Sequence, residues 1–236
     1  MPIFITRILK ALLVLLIPIL LIFGSARLLS TDAFLAFEYG KASFPPDVYG
    51  FTTQQRMELA STNLHYVLAH LPDDALSSQT LNGSLVYSQR EATHMVDVRT
   101  AFQLVWRVWW AAIILLLITG FFLWQKGGWR ELAAAIKAGG ILTIGLIGSI
   151  ALLALFAWQV WFDNFHLIFF EPGSWLFAYS DTLIRLFPLQ FWMDATLTIS
   201  LLSFVVGLLM VLIGWQWRIA IEKPSRRYRW NSPFEY

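Results

Sequence analysis

Four long apolar blocks decide what this chain can fold into. They cover about residues 8–29, 101–124, 139–162 and 195–219. Each has the length of roughly 20 residues that a helix needs to cross a bilayer. Only 14% of the residues are charged, against about a quarter in a soluble domain. The pattern predicts an all-α membrane protein, a single membrane domain over residues 1–236 with four transmembrane helices.

The basic residues lie on one side of these blocks. Most acidic residues lie in the other two segments, about 30–100 and 163–194. Short cytoplasmic loops carry an excess of Lys and Arg, so we expect a multi-pass protein of the cell membrane with both termini in the cytoplasm. The segment 30–100 is then an extracytoplasmic cap, and 163–194 is a second outer segment. The basic residues are Arg7, Lys10, Lys126, Arg130, Lys137, Arg218, Lys223, Arg226, Arg227 and Arg229.

The two ends of the chain each allow a second interpretation. The basic tail is interpreted as an anchor near anionic lipid, and no nucleic-acid partner is expected. Within the first block, Gly24-Ser25-Ala26 resembles a signal-peptide cleavage site. The apolar stretch continues to Leu29, which favours a retained span.

The cap has local patterns of its own. Thr52 followed by Gln55 is typical of a capping box, and it predicts an amphipathic helix over Thr53 to Leu71. The sequence Asn82-Gly83 predicts a tight turn with short strands around it. Residues 89–100 are expected to form a helix that continues into the second span.

His94 is the first candidate functional residue. Glu91, His94 and Asp97 are spaced three residues apart, so they share one face of the predicted helix. A carboxylate one turn from an imidazole can fix its tautomer and stabilise its protonated form. A purely structural network is the alternative, because acidic residues are favoured in the first turn of a helix.

His166 is the second candidate, in an aromatic cluster that follows the third block. Asp163 lies one turn before it. The aromatic residues fit an interfacial belt, or they form the wall of a pocket for lipid. Since His94 and His166 both belong at the outer ends of consecutive antiparallel helices, the two side chains can meet. The remaining pair, His65 and His70, is interpreted as surface residues of the cap.

Several chemistries are absent from the sequence. There are no cysteines, which excludes disulfides and thiol catalysis. There is no phosphate-binding glycine loop, no G-x-S-x-G nucleophile motif and no H-E-x-x-H zinc motif. We therefore expect no cofactor and no metal.

Four motifs together resemble a known family, the lipoprotein intramolecular transacylases (Lit), within a broader family of four-span membrane proteins. The resemblance covers most of the chain, and the two histidine motifs are its most specific part. The motifs are Tyr49-Gly50-Phe51, Glu91-x-x-His94-Met95-x-Asp97-Val98, Phe165-His166-x-x-Phe169-Phe170 with Trp175, and Asp181-x-Leu183-Ile184-x-x-Phe187-Pro188.

The resemblance implies an acyltransferase at the outer leaflet. Its partners are membrane lipid and a diacylated lipoprotein, whose acyl chain moves from the glyceryl group to the amine of the N-terminal cysteine. It implies His94 and His166 as catalytic residues. Glu91, Asp97 and Asp163 are then candidate orienting groups, and Arg99 is a candidate anchor for a polar head group.

Two other functions stay open at this point. One is a non-enzymatic protein for lipid binding or assembly, in which both histidines are structural. The other is a metal-dependent membrane hydrolase that uses the two histidines and one of the nearby carboxylates, since such a set can bind zinc.

Overall fold

The computed structural model describes residues 3–222. The predicted basic residues Lys223, Arg226, Arg227 and Arg229 lie outside this range. Within it the chain forms, in order, α1 (Ile3–Leu29), α2 (Asp32–Tyr39), α3 (Thr53–Val67), β1 (Thr80–Leu81), β2 (Ser84–Leu85), α4 (Gln89–Phe156), α5 (Trp158–Phe169), α6 (Thr182–Leu186) and α7 (Leu189–Glu222).

Three described helices are long and apolar enough to cross a membrane, judged by length and composition. They are α1, α4 and the Leu189–Ile221 part of α7. As a straight helix, the 68 residues of α4 would measure about 100 Å, far more than a hydrocarbon core of about 30 Å. Gly128 breaks it with φ 70° and ψ −177°, a conformation that costs glycine little. We call residues 89–127 and 129–156 the first and second limbs of α4.

The two limbs lie side by side against α1. Leu13 and Ile17 of α1 share one buried cluster with Leu123 of the first limb and Ala135 of the second. The chain therefore reverses its direction at Gly128. The expected long apolar helices are confirmed in this arrangement.

The second limb and α7 approach each other at glycines. A Cβ atom added to Gly140 would lie 2.5 Å from the carbonyl oxygen of Gly207, and one added to Gly214 would lie 2.7 Å from that of Ala133. In a membrane, where lipid competes equally for apolar contacts, helices gain their packing from such close approach of small residues.

The cap forms as its local patterns predict. Thr52 and Gln55 make the reciprocal bonds of a capping box at the start of α3. Asn82 and Gly83 both have positive φ between β1 and β2, as the tight hairpin turn requires. The helix from Gln89 continues into the apolar part of α4. The predicted end of α3 at Leu71 is wrong, because Ala69 adopts φ 62° and the helix stops at Val67.

The third apolar block is divided in the structure. The second limb of α4 ends at Phe156, and Ala157 has the non-helical angles φ −145° and ψ 52°. A separate helix, α5, then begins at Trp158. The predicted span 139–162 is thus a continuous helix only as far as Phe156.

The cap and the second outer segment share one hydrophobic core. The Tyr39 hydroxyl donates to the Leu186 carbonyl at 2.7 Å, and the Thr182 hydroxyl donates to the Val86 carbonyl at 2.6 Å. The buried side chains of this core come from both segments, so neither can form it alone. They are Leu59, Tyr66, Val67, Leu76, Val86, Tyr87, Met95, Leu183 and Leu186.

Replacing Gly140 by alanine should destabilise the bundle. The added methyl group meets the backbone of α7, which cannot rotate away, and overpacking of this kind costs about 1–3 kcal/mol. The matched control is Gly148→Ala, where no atom beyond the adjoining backbone of its own helix lies within 4 Å of the added carbon. Thermal unfolding in lipid nanodiscs should show a lower Tm for Gly140→Ala and no loss for Gly148→Ala. Equal Tm values would contradict this account of the packing.

Candidate active site

His94 is held in the second turn of α4 by a capping box below it. The Ser88 hydroxyl accepts from the Glu91 amide, and the Glu91 carboxylate accepts from the Ser88 amide. The imidazole is buried, with its ring centre 5.1 Å from that of Phe170 and 5.4 Å from that of Phe177. Its Nδ1 atom has no hydrogen-bond partner among the described residues.

His166 lies on α5 with its tautomer fixed. Its Nδ1 atom is 2.7 Å from the carbonyl oxygen of Phe162. Because a carbonyl oxygen only accepts, Nδ1 carries the proton. In neutral His166 the lone pair is therefore on Nε2. The ring also stacks on Trp175, with centres 5.2 Å apart.

The structure brings the two histidines to the same aromatic ring. Phe170 lies 5.1 Å from His94 and 5.6 Å from His166, measured between ring centres. Burial lowers the pKa of His94 to about 4, and the charges of His166 and Arg90 act in the same direction. Burial also lowers the pKa of His166, against the opposing effects of the Phe162 carbonyl and Asp163. Both imidazoles are therefore neutral near pH 7.

A tight turn brings further polar groups to this pair. Pro172 and Gly173 occupy its two central positions, with φ 85° at the glycine, and the Ser174 amide donates to the Glu171 carbonyl at 3.1 Å. Proline followed by a residue of positive φ is typical of a type II turn. Arg90 fastens the turn to α4 by donating to the Gly173 carbonyl at 2.9 Å.

An open groove of about 520 Å³ leads to His94. Its walls come from the start of α4 and from the turn, so both outer segments contribute to it. The lining residues are Gln89, Arg90, Thr93, His94, Asp97 and Ser174.

The predicted supporting residues near His94 take different positions. Both oxygens of Glu91 are engaged away from the imidazole, one by Ser88 and the other by the Leu183 amide. Asp97 lies exposed at the groove. Arg99 faces the cap, where it pairs with Asp73 at 3.0 Å.

Of the predicted carboxylates, Asp163 is the one that affects the pKa of a histidine. It lies one turn before His166 and opposes the lowering of its pKa. One of its oxygens accepts from the Gln159 side chain at 2.9 Å. Sequence reasoning missed Arg90 and Ser174, although the Pro172-Gly173 pair is a turn signal next to Trp175.

The sequence matches the profile of the family described as lipoprotein intramolecular transacylase Lit over residues 11–192. The chain belongs to the Lit family. The predicted resemblance is thus confirmed, and the apolar helices agree with an integral membrane protein of this family.

Two relatives extend the comparison across nearly the whole Lit-like chain. An uncharacterized protein of Aquifex aeolicus (strain VF5) is 29% identical over 216 residues, which is 88% of this chain and 94% of the relative. The in meso structure of Lit from Bacillus cereus matches with a TM-score of 0.70 and 21% identity, over 92% of this chain and 96% of that one. A second Bacillus cereus Lit structure, with a histidine replaced by alanine, matches with a TM-score of 0.59 and 20% identity, over 92% and 94%. At these identities the solved structures show that this chain has the Lit fold.

The low pKa of His94 gives this Lit-family member a specific pH dependence of stability. The unfolded chain takes up a proton on this histidine near pH 6.5, whereas the folded chain resists protonation down to about pH 4. Above about pH 7 the free energy of unfolding therefore does not depend on the protonation of His94. Between about pH 6.5 and pH 4 it falls as the pH decreases, by about 2–3 kcal/mol at pH 4.5.

Substitution of His94 by glutamine should remove this part of the pH dependence. The measurement is the Tm of the wild type and of His94→Gln between pH 7 and pH 4.5. Between pH 7 and pH 4.5, the Tm of the wild type should decrease by more than the Tm of the variant. Parallel curves would show that His94 is not buried as a neutral group.

Proposed function

We propose that this chain is a membrane acyltransferase that moves an acyl chain from the diacylglyceryl group to the N-terminal cysteine amine of a lipoprotein. The observation that carries the proposal is the pair of neutral histidines on Phe170, with His94 buried and His166 half-buried. The lone pair of neutral His166 lies on Nε2. Membership of the Lit family supports the same reaction. The partners are then a diacylated lipoprotein and the membrane, and the reaction requires no cofactor.

The proposed topology has four crossings. Each limb of α4 crosses once, because the reversal at Gly128 divides a helix too long for a single crossing. Both termini are then cytoplasmic and the histidine pair lies on the extracytoplasmic face, as the distribution of Lys and Arg predicts.

The first chemical step is attack of the amine nitrogen on the ester carbonyl carbon. The amine has a reference pKa of about 8, so it needs a base near neutral pH. A nitrogen–carbon bond forms, the π electron pair moves to the carbonyl oxygen, and the amine proton passes to Nε2 of His166. His94 stays neutral, because a second positive charge next to the protonated His166 would be repelled. It donates a hydrogen bond to an oxygen that gains charge, as a neutral imidazole can.

The second step breaks the ester. The electron pair returns from the oxygen to re-form the carbonyl group, and the carbon–oxygen bond to glycerol breaks. The glyceryl alkoxide takes the proton from His166. An amide and a hydroxyl group replace an amine and an ester in one molecule, so the mass does not change. Since both reacting groups belong to the same substrate, positioning contributes much of the acceleration.

Expression in a host with diacylated lipoproteins tests the reaction. Mass spectrometry of the N-terminal peptide of one lipoprotein should show an acyl chain on the amine at unchanged mass. His166→Gln should reduce the transfer by at least about 100-fold, because glutamine supplies no base. His94→Gln should keep more activity than His166→Gln, because its amide still donates a hydrogen bond.

The matched control for these variants is His70→Gln, a histidine of the cap. It should leave the transfer unchanged. If the wild-type protein is well expressed and the acyl chain stays on the glyceryl group, the proposal is rejected. Equal losses in the two site variants would reject the separate roles of His94 and His166.

The two alternatives differ from this proposal in specific readouts. If the protein is not an enzyme, replacing both histidines changes its stability but does not change any lipid product. A metal-dependent hydrolase would contain bound zinc, which elemental analysis of the purified protein detects. Among residues 3–222 no group of three or more histidines and carboxylates is placed to hold a metal ion. The geometry of these residues therefore does not support the zinc ligand set of this alternative.

The absence of cysteines makes the topology directly testable. Asp74→Cys in the cap should react with a membrane-impermeant maleimide in intact spheroplasts. Lys126→Cys, next to the reversal of α4, should react only after the membrane is opened. Labelling of Lys126→Cys from outside would contradict the proposed four crossings.

A further inference from the structure

Three buried polar atoms at the site have no hydrogen-bond partner among the described residues. They are Nδ1 of His94, the hydroxyl of Ser174 and Nε1 of Trp175. The same condition holds at only three other side-chain atoms of residues 3–222, all of them carboxylate or amide oxygens. The atoms at the site can act as donors, and Nε1 of Trp175 can only donate. Trp175 therefore requires an acceptor, and the other two atoms can donate to the same group.

The local structure brings these donors to the histidines. Ser174 ends the type II turn and lines the groove together with His94. The next residue, Trp175, is only 7% exposed and stacks on His166. Arg90 holds the turn to α4. A buried donor without an acceptor costs stability, and such unpaired groups are uncommon in native proteins.

We propose that Trp175 and Ser174 are catalytic residues that donate hydrogen bonds to the carbonyl oxygen of the ester being transferred. This inference rests on the proposed function. When the nitrogen–carbon bond forms, the π electron pair of the carbonyl group moves to this oxygen. The indole N–H and the hydroxyl stabilise the negative charge until the pair returns and the bond to glycerol breaks. Donors that the fold holds in place stabilise this charge more effectively than water, because they need not reorient as the charge develops.

The test separates the indole donor from the indole ring. Trp175→Phe keeps an aromatic ring on His166 but removes the N–H group. The transfer rate should fall about 100-fold, the usual effect of losing one such donor. The Tm should stay equal or rise, because a buried unpaired donor is removed. Ser174→Ala is the second variant and should also slow the transfer. The matched control is Trp192→Phe in the exposed part of the outer segment, which should have no effect.

A binding measurement makes the test independent of turnover. The probe is a synthetic diacylglyceryl lipopeptide in which a tetrahedral phosphonate replaces the ester carbonyl group. Its negatively charged oxygens imitate the intermediate, so the wild type should bind it well. Trp175→Phe should bind it at least about tenfold more weakly, and Trp192→Phe should bind it like the wild type.

Each outcome decides one of the two proposals. Equal phosphonate affinity in the wild type and Trp175→Phe, or no binding by the wild type, overturns the donor role. Weaker binding by Trp175→Phe supports it, whether or not the wild type moves an acyl chain. If the wild type binds the phosphonate through Trp175 but moves no chain, the transacylase function fails and the donor role stands.

Discussion

The buried carboxylate of Glu91 joins the pieces of chain from which the site is made. One oxygen accepts from the amide and hydroxyl of Ser88, and the other accepts from the Leu183 amide. A carboxylate that is 3% exposed is tolerated only when such bonds replace its water. The carboxylate thereby fixes the start of α4 relative to α6, two parts of the chain 92 residues apart.

The position of His94 follows from this junction. The capping box sets the first turn of α4 and therefore the direction in which the imidazole one turn later points. The second outer segment, held by the Leu183 amide and by the Thr182 hydroxyl, places Phe170 and Phe177 against that imidazole. The aromatic side chains shield His94, and in part His166, from water and so favour the neutral imidazole. The neutral imidazole is the state in which a histidine can accept a proton.

Much of the fold could be predicted from the sequence, because the bilayer imposes a length and a composition that few other structures share. The apolar blocks, the capping box at Thr52 and the turn at Asn82-Gly83 all follow from local rules. The end of α3 and the break at Ala157 could not be predicted in this way. Ala69 in a left-handed conformation and a helix end without glycine or proline carry no local signal, so tertiary packing decides them.

The candidate site could also be predicted from the sequence only in part. Helical spacing and the family resemblance identified His94 and His166, and the structure brings them to one ring. The contribution of Glu91 was predicted from its spacing to His94, whereas its bonds run to Ser88 and Leu183. Spacing along a helix gives the shared face but not the partner from a distant segment. The same limit applies to Arg99, which pairs with Asp73 of the cap.

The most direct test of a two-histidine transacylase uses the purified protein in lipid with a synthetic diacylglyceryl lipopeptide. The lipopeptide is supplied with a free or an acetylated N-terminal amine, and mass spectrometry follows the acyl chains. The account predicts a chain on the free amine at unchanged mass, and no reaction of the acetylated form. Release of free fatty acid from both forms would identify a hydrolase, and an unchanged free-amine lipopeptide would leave the site without the proposed chemistry.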